Sequence, residues 1–290
     1  MDQNFQAVDR ILKGQPGALL AYWERDGAAW DPGTTTVTVT NDEGVVLALN
    51  QPATSVGTGL RTYELPASAT GTLDFLTVAW TASDGSVLTT YAEVVGGFYF
   101  SVAQARLRTP LQDTTAYPTQ AIIDYRALAE MALEDVCGVA FVPRYTHEEA
   151  QIASWGMLET SRRRISTVRN IWTQTNTGPQ ALPNLAGLRI ESGQIVFMPA
   201  VWNWWSRPIT IAYEHGYLYV PPRVARAGLE LMRRWLVESP WDERATGFRT
   251  RDGGEMTVLT ARTTLTGVAH PFDIPEVAAV AEMYGTPLVI

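Results

Sequence analysis

Glu214 and His215 stand at the end of an apolar strand pattern, ITIAYEH, and a carboxylate beside an imidazole is equipment for proton transfer. Neighbouring strand residues point to opposite faces, however, so the two side chains are expected apart, with His215 entering the turn that follows. His147, His215 and His270 are the only histidines, each isolated, and no H-E-x-x-H or C-x-x-C framework for a metal occurs. Neither a P-loop nor a dinucleotide fingerprint nor a G-x-S-x-G elbow is present. Asp242 and Glu243 are paired carboxylates in a polar loop, where solvation accounts for them. The single Cys137 cannot form an internal disulfide and reads as a buried, inert thiol at a helix end. The expectation is therefore a chain without catalytic residues, cofactor or metal.

Binding chemistry is better represented. Arg162, Arg163 and Arg164 form the densest basic cluster, although on a strand they would alternate between faces and make one patch only in a turn. Of 22 basic residues 21 are arginine, which suits planar pairing with carboxylate or phosphate; genomic base composition explains the same count. Trp202, Trp204 and Trp205 fall within four residues, and three indoles before a short strand suit an interface or a ring-stacking surface as well as local packing. The net charge of −8 opposes non-specific attraction to nucleic acid. Its distribution is uneven: residues 1–100 carry 4 basic and 11 acidic side chains, whereas the remainder is nearly balanced.

The elements that must position these groups fall into two textures. At 290 residues with 46% hydrophobic content, two domains are the default. No apolar run is long enough to suggest a membrane span, and the N-terminus lacks a signal-peptide pattern, so synthesis in a cytoplasm-like compartment is expected. Residues 3–13 suggest a short helix or arm, within a segment 1–16. Residues 17–98 are short, Thr- and Val-rich strands with hairpin signals at Asn41–Gly44 and Asp84-Gly85. Together with a central-strand Trp80 they predict an all-β immunoglobulin-like sandwich lacking the disulfide.

After Gly96-Gly97 the pattern becomes α+β, a mainly helical core with β hairpins over 99–244. Pro118 opens a helix to Val136 whose buried face is expected to hold Tyr125, Leu128, Ala132 and Val136 with Ile122 and Ala129 beside them, leaving Glu130 and Glu134 outside. Residues 146–158 read as a short helix or loop, Arg163–Thr173 as a strand, and LRIESGQIVFM as a hairpin. A second helix starts at Pro221-Pro222, with Arg226, Arg233 and Arg234 along its basic edge, Glu230 paired to Arg234, and Gly228 admitting a neighbouring helix. A C-terminal arm, 245–290, contains a thinly apolar hairpin and a short helix with Ile274, Val277, Val280 and Tyr284 on one face. Both are expected to await partners.

Three blocks, in order, carry a resemblance over roughly 190 residues. SVAQARLRTPLQDTTAYPTQAIIDYRALAEMALEDVCGVAFVPR, then ITIAYEHGY with PPRVARAGLELMRRWL, then IPEVAAVAEMYG together resemble head-to-tail adaptor (connector, head-completion) proteins of long-tailed bacteriophages. The resemblance implies a structural, non-enzymatic virion protein of the neck, a dodecameric ring between the portal protein and the tail or stopper protein. DNA would pass through such a ring without sequence-specific binding. The sandwich is an addition to the minimal adaptor, and the major capsid protein is its candidate contact. The acidic face at Glu130 and Glu134 and the arginine edge of the second helix would supply complementary sides of the ring. A phage-associated module that binds a surface or glycan through the sandwich and the Trp cluster is the alternative.

Overall fold

A computed structural model describes residues 8–152, 157–175, 178–181, 185, 188–191, 195–197, 208–237, 248–249, 255–256 and 274–285. The first ten strands are β1 (Asp9–Leu12), β2 (Gly17–Tyr22), β3 (Glu24–Arg25), β4 (Ala28–Ala29), β5 (Thr35–Asn41), β6 (Val46–Pro52), β7 (Thr54–Gly57), β8 (Leu60–Leu65), β9 (Asp74–Ala82) and β10 (Val87–Val95). Helices α1 (Val102–Arg106) and α2 (Thr119–Cys137) follow. Next come β11 (Arg144–Ile152), β12 (Met157–Glu159), β13 (Ile165–Thr175), β14 (Gly178–Ala181), β15 (Arg189–Glu191), β16 (Ile195–Phe197) and β17 (Ile209–His215). The chain closes with α3 (Pro222–Leu236), β18 (Phe248–Arg249), β19 (Glu255–Met256) and α4 (Pro275–Tyr284). It divides into two compact units, residues 1–98 with 138–220 and residues 99–137 with 221–290. The strands after residue 138, expected beside the helices, thus group with the sandwich.

In the first unit a five-stranded sheet, β1-β10-β9-β5-β6, and a three-stranded sheet, β2-β8-β7, enclose one core. Alternation in β9 sends Leu76, Val78 and Trp80 inward, where they meet Val37 and Val39 of β5 and Leu19 of β2. The buried indole keeps a polar partner: Trp80 Nε1 donates to Thr90 Oγ1 at 2.9 Å. The expected hairpin turns are present, with Gly44 and Gly85 at φ 81° and 85°. Residues 9–12, expected to belong to a short helix or an arm, form β1, which pairs parallel with β10. A helix of that length is marginal alone, whereas Ile11 as a strand residue packs onto Gly17; a Cβ there would lie 2.5 Å from Ile11 Cγ2.

A second sheet in this unit is antiparallel throughout, ordered β14-β13-β17-β11-β12-β16-β15. The expected hairpin within LRIESGQIVFM is β15 and β16. Ile209, Ile211 and Tyr213 of β17 are fully buried on one face with Ile171 and Leu158. Ala212 faces the other way, against Leu73 and Tyr145. Residues 144–152 are a strand rather than the helix or loop expected over 146–158. Polar residues concealed it: Glu148 accepts from Tyr213 Oη and Ser161 N, both at 2.8 Å, so tertiary partners replace the missing apolar alternation.

The second unit is built by α2, α3 and α4. Pro221 and Pro222 occupy the N-cap and first turn of α3, as their missing donors and fixed φ require. Gly228 admits close packing from α2 and the segment before α1: a Cβ there would lie 3.2 Å from Tyr99 Cδ2, 3.5 Å from Phe100 Cε1 and 3.6 Å from Leu133 Cδ1. The buried face of α2 is the expected one only at Ile122 and Ala129. Ile122, Arg126, Ala129, Glu130, Leu133, Glu134 and Cys137 are buried, while Leu128 is exposed. Helix α4 does not await a partner, because Val277 and Val280 are buried against α2 and α3 of the same chain. Strands β18 and β19 pair antiparallel, Phe248 with Met256 and Arg249 with Glu255.

Candidate interface surfaces

The two carboxylates expected on an exposed acidic face hold the helical unit together from inside. Glu130, fully buried, accepts from Tyr99 N at 2.8 Å, and Glu134 accepts from Tyr99 Oη at 2.9 Å. Arg126 Nη1 donates to Phe100 O at 3.3 Å. One side of α2 therefore fixes the entry to α1, whose first turn closes as a capping box: Gln104 N donates to Ser101 Oγ and Ser101 N to Gln104 Oε1. Arg106 completes the clamp by donating to Leu111 O at 2.6 Å. Beside these carboxylates Cys137 is buried; burial first, then the Glu134 charge, pushes its thiol up to about 11, so it stays protonated at neutral pH.

The remaining sequence candidates separate. Arg162, Arg163 and Arg164 lie in the bend between β12 and β13, and each is drawn into its surroundings differently. Arg162 N donates to Tyr213 Oη at 3.2 Å. Arg163 is half-buried. Arg164, at φ 60°, accepts from Gly216 N through its carbonyl and lays its guanidinium 3.7 Å over the Tyr217 ring. On α3, Glu230 meets Arg233 at 3.0 Å, and Arg226 reaches Glu276 of α4 at 3.4 Å. Arg234 is exposed on the last turn of α3. Ile274, Val277 and Val280 belong to the interior, with Tyr284 half-buried at the end of α4. Trp202, Trp204 and Trp205 lie outside the described residues.

Glu214 and His215 point apart, as strand geometry requires. Glu214 accepts from Arg169 Nε at 2.9 Å and Nη2 at 2.6 Å, while His215 is buried with Nε2 2.9 Å from Thr146 Oγ1. Among the described residues no group of three or more His, Cys, Asp or Glu is placed to hold a metal.

Two features were not legible in sequence. The first joins the sandwich to the second sheet. Glu93 receives Arg144 at 3.0 Å and Arg10 at 3.4 Å, and Asp42 accepts from Tyr145 Oη at 2.8 Å while also pairing with His147. Burial, then the Asp42 hydrogen bond, drives the Tyr145 phenol far above its usual range. Gly96 closes the junction: a Cβ would lie 2.6 Å from Pro143, and Gly96 N donates to Pro143 O. The glycines expected at a domain junction stand just before the first unit gives way after Phe98, and Gly96 also serves close approach. The second feature is a groove of about 440 Å³ in the helical unit, floored by Phe100 and Leu229, with Leu107 77% exposed at its lip and Arg108 and Arg226 on its rim. Isolated apolar and basic letters 120 residues apart carried no signal of it.

No protein-family model matches the chain, and no curated protein matches it. Among solved structures, the chain is similar to one in "Neck of empty GTA particle computed with C6 symmetry", at 17% identity and TM-score 0.44, covering 66% of this chain and 92% of that one. It is also similar to a chain in "Neck of native GTA particle computed with C12 symmetry", at 18% identity and TM-score 0.41, covering 68% and 97%. A third similarity, at 11% identity and TM-score 0.22, covers 32% of this chain and 86% of an immunoglobulin-domain chain, "Crystal Structure of the ZIG-8-RIG-5 IG1-IG1 heterodimer, monoclinic form".

Proposed function

We propose that the chain is a structural protein of a tailed phage-like virion, a head-to-tail adaptor that forms a ring between portal and tail, with 99–244 and 245–290 carrying that role. One observation carries the reading. The three sequence blocks that resemble adaptors are separated by up to 64 residues, yet the helices they contain, α2, α3 and α4, pack on one another in a single unit with Gly228 at a close contact, while β17 of the second block belongs to the other unit. A chance resemblance of three amphipathic stretches does not require that they share a core. The titratable groups agree with a structural role: Glu130, Glu134, Glu93 and Asp42 are each spent on internal hydrogen bonds or ion pairs.

The test is assembly. Particles produced without this chain are expected to accumulate as heads and tails that do not join, and the purified protein mixed with portal is expected to add a ring visible by electron microscopy. Complete tailed particles lacking the chain would refute the reading.

A further inference from the structure

We infer that the tip of the β5–β6 hairpin of one copy seats in the groove between α1 and α3 of the next copy. This inference rests on the ring reading and names the contact that would build it. Strand β6 is the edge of its sheet; Val46 and Leu49 along it are 49% and 61% exposed, and Val45 in the turn before it is 53% exposed. An edge strand with outward apolar residues is a pairing hazard unless something covers it. The same tip presents the exposed carboxylate of Glu43, within a segment, residues 1–100, that carries 11 acidic against 4 basic side chains.

The groove has the opposite character. Phe100 and Leu229 give it an apolar floor, Leu107 an uncovered lip, and Arg108 and Arg226 a basic rim. Its volume of about 440 Å³ falls within the roughly 300–1,000 Å³ of sites that enclose a small apolar ligand. Val45 and Val46 would fill the floor against Leu107 while Glu43 meets the arginines, Arg226 exchanging its long contact with Glu276. Because knob and groove are different surfaces of opposite charge, the contact is heterologous, one copy's knob meeting another copy's groove, the kind of contact from which rings and filaments are built.

Disulfide trapping with the full chain tests this. The native thiol, Cys137, is buried and does not compete. Val45→Cys and Leu107→Cys proteins, mixed under mild oxidation, are expected to yield one cross-linked heterodimer, and the double variant a ladder of covalent multimers. No cross-linked species, or equal self-linking of each single variant, would overturn the inference, as would trapping of Leu107→Cys by Leu218→Cys in place of Val45→Cys. A second arm reverses charge: Glu43→Arg alone and Arg108→Glu with Arg226→Glu alone are each expected to weaken self-association in sedimentation velocity roughly tenfold, and their combination to restore it. Combination without restoration counts against the contact. Rings on portal with both arms negative would leave the adaptor reading intact and remove this contact. Cross-linking in a chain absent from the neck would do the reverse.

Discussion

At the scale of single residues, the most informative are the polar ones that sequence periodicity assigned to solvent. Glu130 accepts a backbone N–H in the interior, so Glu130→Ala strands the Tyr99 donor and is expected to destabilise the helical unit by about 1–3 kcal/mol in denaturant unfolding. Gly228→Val would drive its side chain against Tyr99 and Phe100 and is expected to cost about 1–3 kcal/mol by overpacking, despite the better helix former. Asp74 behaves differently. Burial raises its carboxyl in the folded chain against the lowering effect of hydrogen bonds from Asp42 N, Phe75 N and Asn41. The fold therefore retains a proton there that the unfolded chain releases. The destabilisation is absent below the ordinary value of 3.8 and sets in as pH rises through the higher folded value. Asp74→Asn is expected to melt above the wild type at neutral pH, with the difference vanishing below pH 3.8.

At the scale of elements, strands with a clean period of two were legible: β5, β9, β10 and β17 follow the alternation of their sequences, and their turns follow Asn-Asp-Glu-Gly and Asp-Gly. Helices α2, α3 and α4 were placed by proline at their starts and glycine beyond the ends of α2 and α4. What failed was the assumption that charge marks the outside. Arg126, Glu130 and Glu134 are satisfied within the chain, which rotated the true inner face of α2 away from Tyr125 and Leu128; in β11 the same satisfaction concealed a whole strand. The interface residues suffered most, since burial of Ile274, Val277 and Val280 depends on α4 folding back onto α2 and α3. Removal of residues 274–290 is accordingly expected to uncover apolar surface, seen as increased binding of a hydrophobic dye and loss of cooperative melting of the helical unit. A Val277→Asp substitution is expected to cost about 3 kcal/mol or more, since it both empties an apolar site and buries a carboxylate.

At the scale of the whole molecule, domain structure and chain order disagree. The sandwich is complete by Val95, yet Asp42, Glu93 and Leu73 find their partners at residues 144–147 and 212. Such pairs, 50 to 140 positions apart, leave no local trace in the sequence. A fragment ending at residue 98 is expected to keep the β-sheet signature in circular dichroism but to melt below the full chain, because Glu93 would remain in place without Arg144. Time gives this arrangement a further meaning. On the ribosome the sandwich emerges before residues 99–137, which belong to the other unit, and these in turn before the strand that covers its flank. At about 5–20 residues per second the Leu73 and Glu93 surface stands bare for several seconds. That interval is the stretch of the protein's life in which a nascent chain can meet another through the wrong surface, and residues 1–100, with 11 acidic against 4 basic side chains, repel their like.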